Sequence, residues 1–239
     1  MQKTVRSYLK RMAQPLPLLA AAFSICQAQA AAAKVTYPKH MAPLSQYLSK
    51  SAADEVKLAR SAAPAAISDK AQILAFGSDG YQVAARGSNG FVCVVQRSWE
   101  GNFDNKEFWN PRVRSPMCYN AAGAGSLLRE YLERTKWVLA GMSVAQMAER
   151  AKFAPPMQGS MAYMTSLQQV ICSNAGCSRW YPHLMFFFPN GAAPDWGPNQ
   201  NGGPVFSGRY DPRTAVLFLL VPLWSDGTPA QSAGDHHDM

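Results

Sequence analysis

The sequence predicts a single α+β domain: an antiparallel sheet of about six strands, beginning as a meander, with two helices, 125–140 and 143–152, packed on one face. Three observations predict this class. Short apolar runs alternate with Gly-containing turns early in the chain, helical patterns occupy its middle, and apolar runs of strand length return in its last third. The length of 239 residues and the hydrophobic fraction of 48% suit one globular domain.

The N-terminal residues 1–30 have the order of a signal peptide. An apolar segment at 16–25 leads to the small-residue exit Ala28-Gln29-Ala30, and four cations precede it: Lys3, Arg6, Lys10 and Arg11. We therefore expect an exported protein, periplasmic or extracellular, cleaved after Ala30. A buried N-terminal helix and a lipoprotein modified at Cys26 are the alternatives, and the bulky Ile25 disfavours the second.

The charge balance argues against a nucleic-acid partner. Removing residues 1–30 takes away four of the 23 basic residues and none of the 15 acidic ones, which lowers the formal charge from +8 to +4. Arg97, Arg112 and Arg114 are scattered rather than clustered, whereas a nucleic-acid binder shows a dense basic patch. No apolar run after residue 30 reaches the roughly 18 to 20 residues that span a bilayer, so we expect no transmembrane segment in the mature chain.

The mature chain begins with residues 31–50, which we interpret as a linker or a strap over the domain. Ser51 can cap a short helix with acids in its first turn, and Pro64 ends that helix. The single domain is expected to span residues 51–229, followed by a disordered tail at 230–239.

Three strands should come first in the domain, at 71–76, 81–86 and 91–97. The turns between them end in Asp79-Gly80 and Asn89-Gly90, which accept the positive φ of tight hairpins, so an antiparallel meander is predicted. In the third strand Cys93 shares a face with apolar neighbours and should point inward.

An aromatic-rich segment, residues 98–123, follows without periodicity and is predicted to be a long loop. Helical spacing of apolar residues then predicts the helix 125–140, and the capping box of Ser143 and Gln146 begins the second. The remaining apolar runs predict strands at 160–166, 180–188 and 213–221. A Pro-, Gly- and Asn-rich loop, 189–212, separates the last two strands.

The four cysteines of the mature chain are expected to form disulfides, because an even number in an exported protein indicates pairing. Four cysteines allow three connectivities. Cys172 and Cys177 flank a turn sequence that favours their local pairing, which leaves Cys93 to pair with Cys118. Their spacing does not match a zinc site.

Several short segments resemble a group of exported, uncharacterised bacterial proteins over roughly residues 51–229. These segments are Ala62-Ala-Pro-Ala-Ala-Ile67, Asn89-Gly-Phe-Val-Cys93, Pro116-Met-Cys118, Gly159-Ser-Met-Ala-Tyr-Met164, Pro182-His-Leu-Met-Phe186, Phe108-Trp-Asn-Pro111 and Trp224-Ser-Asp-Gly227. The resemblance implies a secreted domain and no particular activity.

Aromatic side chains in irregular segments suggest where a ligand could bind. We expect loops 98–119 and 189–212 to meet beside the start of the His183 strand as a concave site, because pockets use large rings for contact area. A packed core beneath these loops is an equal alternative. The candidate ligand-binding residues are Arg97, Trp99, Trp109, Arg112, Trp180, Tyr181, His183 and Trp196.

Two weaker patterns point to catalysis. His183 with an acidic partner could act as a general base in a hydrolase, and Asp104 with Glu107 could act as a glycosidase pair. The ordinary interpretations are a histidine that satisfies backbone groups at a strand entrance and a solvated turn. Asp235-His-His-Asp238 could hold a metal loosely, but a tail is the simpler interpretation, so no metal or cofactor is predicted. The best functional class is an extracytoplasmic protein that binds an unknown small molecule or an envelope component.

Overall fold

The computed structural model describes residues 38–152, 154–173, 176–211 and 213–230. The signal-peptide prediction for residues 1–30 and the Asp235–Asp238 tail lie outside these residues. Strands are β1 Gln72–Gly77, β2 Gly80–Ala85, β3 Val92–Gln96, β4 Ser115–Tyr119, β5 Met161–Met164, β6 Ile171–Ser173, β7 Gly176–Ser178, β8 His183–Pro189, β9 Val205–Asp211 and β10 Thr214–Leu220. Helices are α1 Ala52–Arg60, α2 Ala65–Ser68, α3 Ala121–Gly123, α4 Arg129–Leu139 and α5 Val144–Arg150.

The α+β class is confirmed, but the sheet is larger than predicted. Eight strands lie in the order β2-β1-β3-β4-β5-β8-β10-β9, and β6 and β7 form a separate hairpin. All neighbours in the large sheet pair antiparallel except β1 and β3, which are parallel, so the sheet is mixed. The sheet is therefore mostly antiparallel, as predicted, but it has eight strands and not about six, and one pair of strands is parallel.

Two strands of the large sheet, β4 and β9, fall in segments that the sequence predicted as loops. Strand β4 contains Pro116, which cannot donate a ladder hydrogen bond and so disguises a strand. Strand β9 contains Gly208, where a Cβ would come within 2.8 Å of the Phe218 ring. Glycine weakens strand propensity, but it is required at position 208 because the Phe218 side chain of the neighbouring strand leaves no room for a Cβ.

The predicted meander is only half correct. Strands β1 and β2 form the expected hairpin, but β3 lies on the other side of β1 and runs parallel to it. The connection between β2 and β3 crosses the start of β1 so closely that a Cβ at Gly87 would lie 2.1 Å from the Gln72 nitrogen. The Gln72 amide then donates to the Phe91 carbonyl at 2.8 Å. The Gly-rich segment 87–90 thus serves a strand crossing rather than a hairpin turn.

Helices cover both faces of the first half of the sheet. Helix α1 begins as predicted, since the Ser51 side chain accepts a hydrogen bond from the Asp54 amide, and it packs on β1, β3 and β4. On that face Ile73, Cys93 and Cys118 form a small core with alanines of the α1–α2 region. The residues that alternate with them in these strands point to the opposite face.

The opposite face contains the main core, and the two predicted helices contribute to it. Helix α3 continues through a π-helical turn, Ala124–Leu128, into α4, and the Ser143 capping box begins α5 as predicted. Tyr131 of α4 and Met147 of α5 are buried in this core together with residues of β1, β3, β4, β5 and β8.

Both expected disulfides are present. Cys93 and Cys118 are directly opposite each other in β3 and β4, with their Cα atoms 3.9 Å apart. Cys172 and Cys177 are likewise opposite each other across the β6–β7 hairpin, also at 3.9 Å. The first disulfide joins two neighbouring strands and not, as we expected, a strand to a loop, because Cys118 lies in β4. Among the described residues no helix is long and apolar enough to cross a membrane.

Candidate functional site

The aromatic loop that follows β3 packs into the main core. Trp99 is fully buried, its Nε1 donates to the Thr135 hydroxyl of α4 at 2.9 Å, and its ring lies 5.2 Å from that of Tyr47. Trp109 is also buried and packs edge-on against Phe108 at 4.8 Å. In the described structure a ligand would therefore not reach these rings without displacing core contacts. This arrangement corresponds to the packed-core alternative for the loop.

Arg97 lies at the end of β3 and is 0% exposed. Its guanidinium donates from Nη2 to Glu55 at 2.8 Å, from Nε to the Tyr47 carbonyl at 2.8 Å and from Nη1 to the Val95 carbonyl at 2.5 Å. Glu55 is only 1% exposed, so the pair is an internal ion pair between α1 and the sheet. A guanidinium bound in this way serves the fold, because each of its three nitrogens already donates to a partner within the protein.

The strap predicted at 31–50 is anchored at this ion pair. Tyr47 is fully buried, its carbonyl accepts from Arg97, and its hydroxyl donates to the Trp109 carbonyl at 2.7 Å. Residues near 47 therefore form part of the core rather than a loose linker. The sequence did not identify Glu55 or Tyr47 as members of this centre, since Glu55 equally suits the first turn of a helix.

A pair of tyrosines extends the polar centre toward α4. The hydroxyls of Tyr81 and Tyr131 lie 2.8 Å apart; that of Tyr81 donates to the Val95 carbonyl, and that of Tyr131 accepts from the Arg97 amide. Burial raises the pKa of both phenols, so both remain protonated at neutral pH. These hydroxyls act here as hydrogen-bonding groups of the core.

Glu100 is a half-buried acid at the end of the segment that carries Trp99. Burial raises its pKa to about 7, and the opposing influences are a hydrogen bond from the Ser115 hydroxyl and the charge of Arg134. Arg134 in turn donates to the Trp99 and Gly101 carbonyls at 3.0 and 2.6 Å. No sequence pattern pointed to Glu100, because its environment depends on the burial of the preceding Trp99, which the sequence does not show.

The suggested carboxylate pair of Asp104 and Glu107 is divided between two environments. Asp104 is exposed, whereas Glu107 is 6% exposed and its amide donates to the Asn105 side chain at 2.9 Å. The glycosidase prediction gains no support from this arrangement.

His183 lies in the interior at the start of β8, and its exposed fraction is 0%. Its ring packs edge-on against Trp180 at 4.4 Å and Phe218 at 5.5 Å, and Nδ1 lies 2.6 Å from the Tyr181 carbonyl. Nε2 is buried and has no hydrogen-bond partner among the described residues. Burial lowers the pKa of His183 to about 4, so the ring is neutral at pH 7 and Nδ1 donates to the carbonyl. This is the backbone-satisfying role that we weighed against a general base.

Trp196 occupies the opposite face of β8 from His183. Its ring lies 5.3 Å from Phe186 and 5.7 Å from Phe188, both edge-on, and these residues alternate with His183 along the strand. The predicted convergence of the two loops beside His183 is therefore not found. Trp180 and His183 do come together, and Arg97 lies in the same core as Trp99, but the eight candidates do not line one cavity.

Four of the eight candidates reach solvent. Trp180 and Tyr181 are half-buried, while Arg112 and Trp196 are exposed. Trp196 is a large ring with 46% of its surface accessible. The binding role of the candidates stays a prediction, and only these four are placed to meet a ligand in the described conformation.

Within the described ranges, no group of three or more His, Cys, Asp and Glu side chains is arranged to hold a metal ion. No protein-family model matches the chain, and no curated protein or solved structure shows significant similarity to it.

Proposed function

We propose that this protein is an exported ligand-binding domain that works outside the cytoplasm, in the periplasm or beyond. The observation that carries this proposal is the presence of two disulfides, each between cysteines that face each other in paired strands. Such bonds persist in oxidising compartments and are rare in the cytosol. The basic, apolar and small-residue order of residues 1–30 supports the same compartment.

Binding is favoured over hydrolysis by the state of the interior polar groups. His183 is neutral and enclosed by rings, and Arg97 is held by Glu55 and backbone carbonyls. A general base must reach the proton that it abstracts, which His183 cannot do from this position without rearrangement. The half-exposed indole of Trp196, by contrast, is available without rearrangement.

Export can be tested by producing the full chain in a bacterial host with a working secretion pathway. We expect the protein in the periplasmic fraction, with a new N-terminus after Ala30 and no free thiol that reacts with an alkylating reagent before reduction. A double substitution in the apolar segment, Leu18→Arg with Leu19→Arg, is the matched control and should leave the uncleaved, reduced chain inside the cell. Folded wild-type protein that keeps Met1 and reactive thiols at Cys93, Cys118, Cys172 and Cys177 would contradict the proposal.

Fractionation also separates the two forms of the proposed role. A soluble binding protein should be released by osmotic shock, whereas a protein that associates with an envelope component should remain with the membrane and wall until salt or detergent is added.

A further inference from the structure

Three Asn-Gly pairs occur in the sequence: Asn89-Gly90, Asn190-Gly191 and Asn201-Gly202. At such a pair the main-chain nitrogen of the glycine can attack the side-chain amide carbon of the asparagine, because glycine has no side chain to obstruct the approach and its backbone rotates readily. A fold can prevent this attack by holding the side-chain amide of the asparagine or by engaging the nitrogen of the glycine. The surroundings of the three pairs differ in both respects.

Asn89 is held by its side chain. Its Nδ2 donates to the Ile67 carbonyl at 2.8 Å, and its Oδ1 accepts from the Phe91 amide at 3.1 Å. These two hydrogen bonds fix the plane of the side-chain amide within the segment that crosses the start of β1. Attack on Cγ requires this amide to rotate, so both hydrogen bonds must break first.

At the second pair the fold engages the nitrogen of the glycine. Asn190 is exposed and has a positive φ of 62°. The Gly191 amide, however, donates to the Arg213 carbonyl at 2.9 Å, directly beside the pairing of Thr214 with Pro189 in β10 and β8. This nitrogen therefore belongs to the hydrogen-bonded end of the sheet, and it reaches the side chain of Asn190 only when that end opens.

The third pair, Asn201-Gly202, has neither restraint. Residues 200–203 form a turn in which the Gly203 amide donates to the Gln200 carbonyl at 2.8 Å and Gly202 has a φ of 73°, the pattern of a type II turn. The closing hydrogen bond of such a turn comes from its fourth residue, so the Gly202 amide takes no part in it. Asn201 and Gly202 are both exposed, and within the described ranges no hydrogen bond fixes the Asn201 side chain or the Gly202 amide.

From this comparison we infer that Asn201 is a modification site of the folded protein, at which the chain deamidates spontaneously. The Gly202 nitrogen loses its proton and forms a bond to Cγ of Asn201, and the bond from Cγ to Nδ2 breaks with release of ammonia. Water then opens the resulting cyclic imide at one of its two carbonyl carbons, which leaves aspartate or isoaspartate. The reaction consumes only water, and the inference does not depend on the proposed binding role.

The modification changes the charge and the shape of the loop 190–204. Asp195 is the only charged residue of this loop, so deamidation gives it a second negative charge. The isoaspartyl product also adds a methylene to the main chain inside the segment that Asn199 closes. The Asn199 amide donates to the Val205 carbonyl at 2.9 Å, and its side chain exchanges hydrogen bonds with Ser207 of β9 at 2.7 and 3.1 Å. We expect the lengthened turn to loosen this attachment of the loop to β9.

The test is incubation of the purified full chain at mildly alkaline pH with its disulfides intact, followed by peptide mapping that separates aspartyl from isoaspartyl peptides. Deamidation at Asn201 should be about 10-fold faster than at Asn89, where two hydrogen bonds of ordinary strength must open, and it should also be faster than at Asn190. The matched control is the same chain reduced and unfolded in guanidinium chloride, in which the three pairs should react at similar rates. Asn201→Gln should abolish the reaction at this position and leave the rates at Asn89 and Asn190 unchanged.

Equal rates at the three pairs in the folded chain, or a faster reaction at Asn89 or Asn190, would overturn the inference. It would also fail if Asn201 reacted in the unfolded chain but stayed intact in the folded one, because the turn would then protect it. The same ranking in guanidinium chloride would assign the difference to the local sequence and not to the fold. Hydrogen exchange tests the effect on the loop: the Ser207 amide should exchange faster in the isoaspartyl form than in Asn201→Asp, which has the same charge on an ordinary main chain, and equal exchange would contradict the loosening.

Discussion

Replacing Glu55 by Gln should destabilise the fold severely while barely changing its shape. The substitution keeps the size of the side chain but leaves the guanidinium of Arg97 buried without a counter-ion. Both side chains are essentially inaccessible to water, at 0% and 1% exposure, and their N···O distance is 2.8 Å. Solvent therefore cannot take over the role of the lost carboxylate.

The size of the expected loss in the free energy of unfolding follows from this burial. Removing one partner of a buried ion pair costs about 3–5 kcal/mol, because the other charge remains desolvated. In Glu55→Gln the guanidinium of Arg97 keeps its hydrogen bonds to the Tyr47 and Val95 carbonyls, and the introduced amide oxygen can still accept from Nη2. We therefore expect the lower part of this range, about 3 kcal/mol. Domains of this size have free energies of unfolding of about 5–15 kcal/mol, so such a loss is readily measured.

The assay is urea unfolding at pH 7 with the disulfides intact, followed by circular dichroism. The matched control is the same Glu→Gln change at Glu133, whose ion pair with Lys136 has a similar distance, 3.0 Å, but side chains that are 42% and 74% exposed. That control should cost less than about 1 kcal/mol, because water screens and replaces an exposed pair. Equal losses in the free energy of unfolding for the Glu55 and Glu133 variants would refute this prediction, because burial of the ion pair would then not determine the loss of stability.

Three further predictions concern titration and the disulfides. Because burial raises the pKa of Glu100 to about 7, the folded state retains a proton that the unfolded state releases above about 4.5. This group therefore lowers stability as pH rises through that window, by up to about 1.4 kcal/mol per pH unit. Glu100→Gln should remove this contribution, so in unfolding curves collected from pH 4.5 to 7 the stability of the variant should rise with pH relative to that of the wild type. The lowered pKa of His183, about 4, acts in the opposite direction, so the contribution of this group to stability falls as pH drops from 6.5 to 4. His183→Phe should remove this contribution, so the stability of the variant should rise relative to that of the wild type as pH drops through this window. A pH profile identical to that of the wild type in either variant would contradict the corresponding shift. Replacing Cys93 and Cys118 by Ala should lower the free energy of unfolding by about 3 kcal/mol, and replacing Cys172 and Cys177 by Ala should lower it by about 2 kcal/mol. The sequence separations are 25 and 5, and closing the longer loop removes more entropy from the unfolded chain. Denaturation of the two double variants tests this order, and a larger loss for the Cys172/Cys177 variant would contradict the chain-entropy explanation.

The pH predictions for Glu100 and His183 overlap between about 4.5 and 6.5, where their slopes oppose each other. The contribution of these two groups to the wild-type profile should therefore nearly cancel in that window. Each single variant then exposes the slope of the other group, which makes the pair of variants a stronger test than either alone.

Local features of the fold could be predicted from the sequence. The caps at Ser51 and Ser143 and the Cys172–Cys177 pairing involve groups within about five residues of each other, and the β1–β2 hairpin is closed by the nearby pair Gly77 and Gly80. The strand order could not be read in the same way. The position of β3 beside β1, and not beside β2, depends on a chain crossing at Gly87 that looks like an ordinary turn in the sequence.

The candidate site shows the same division. The sequence by itself determined that Trp99, Trp109, Trp180 and Trp196 lie in or beside irregular segments, which is typical of both a pocket and a packed core. Only the tertiary structure decided between these for each ring: Trp99 donates to Thr135 of a helix 36 residues away, whereas Trp196 rests on β8 and remains open to water. The physical reason is that periodicity reports the face on which a residue lies within its own element. Burial is decided by which distant element covers that face, and that depends on the order of the strands within the sheet.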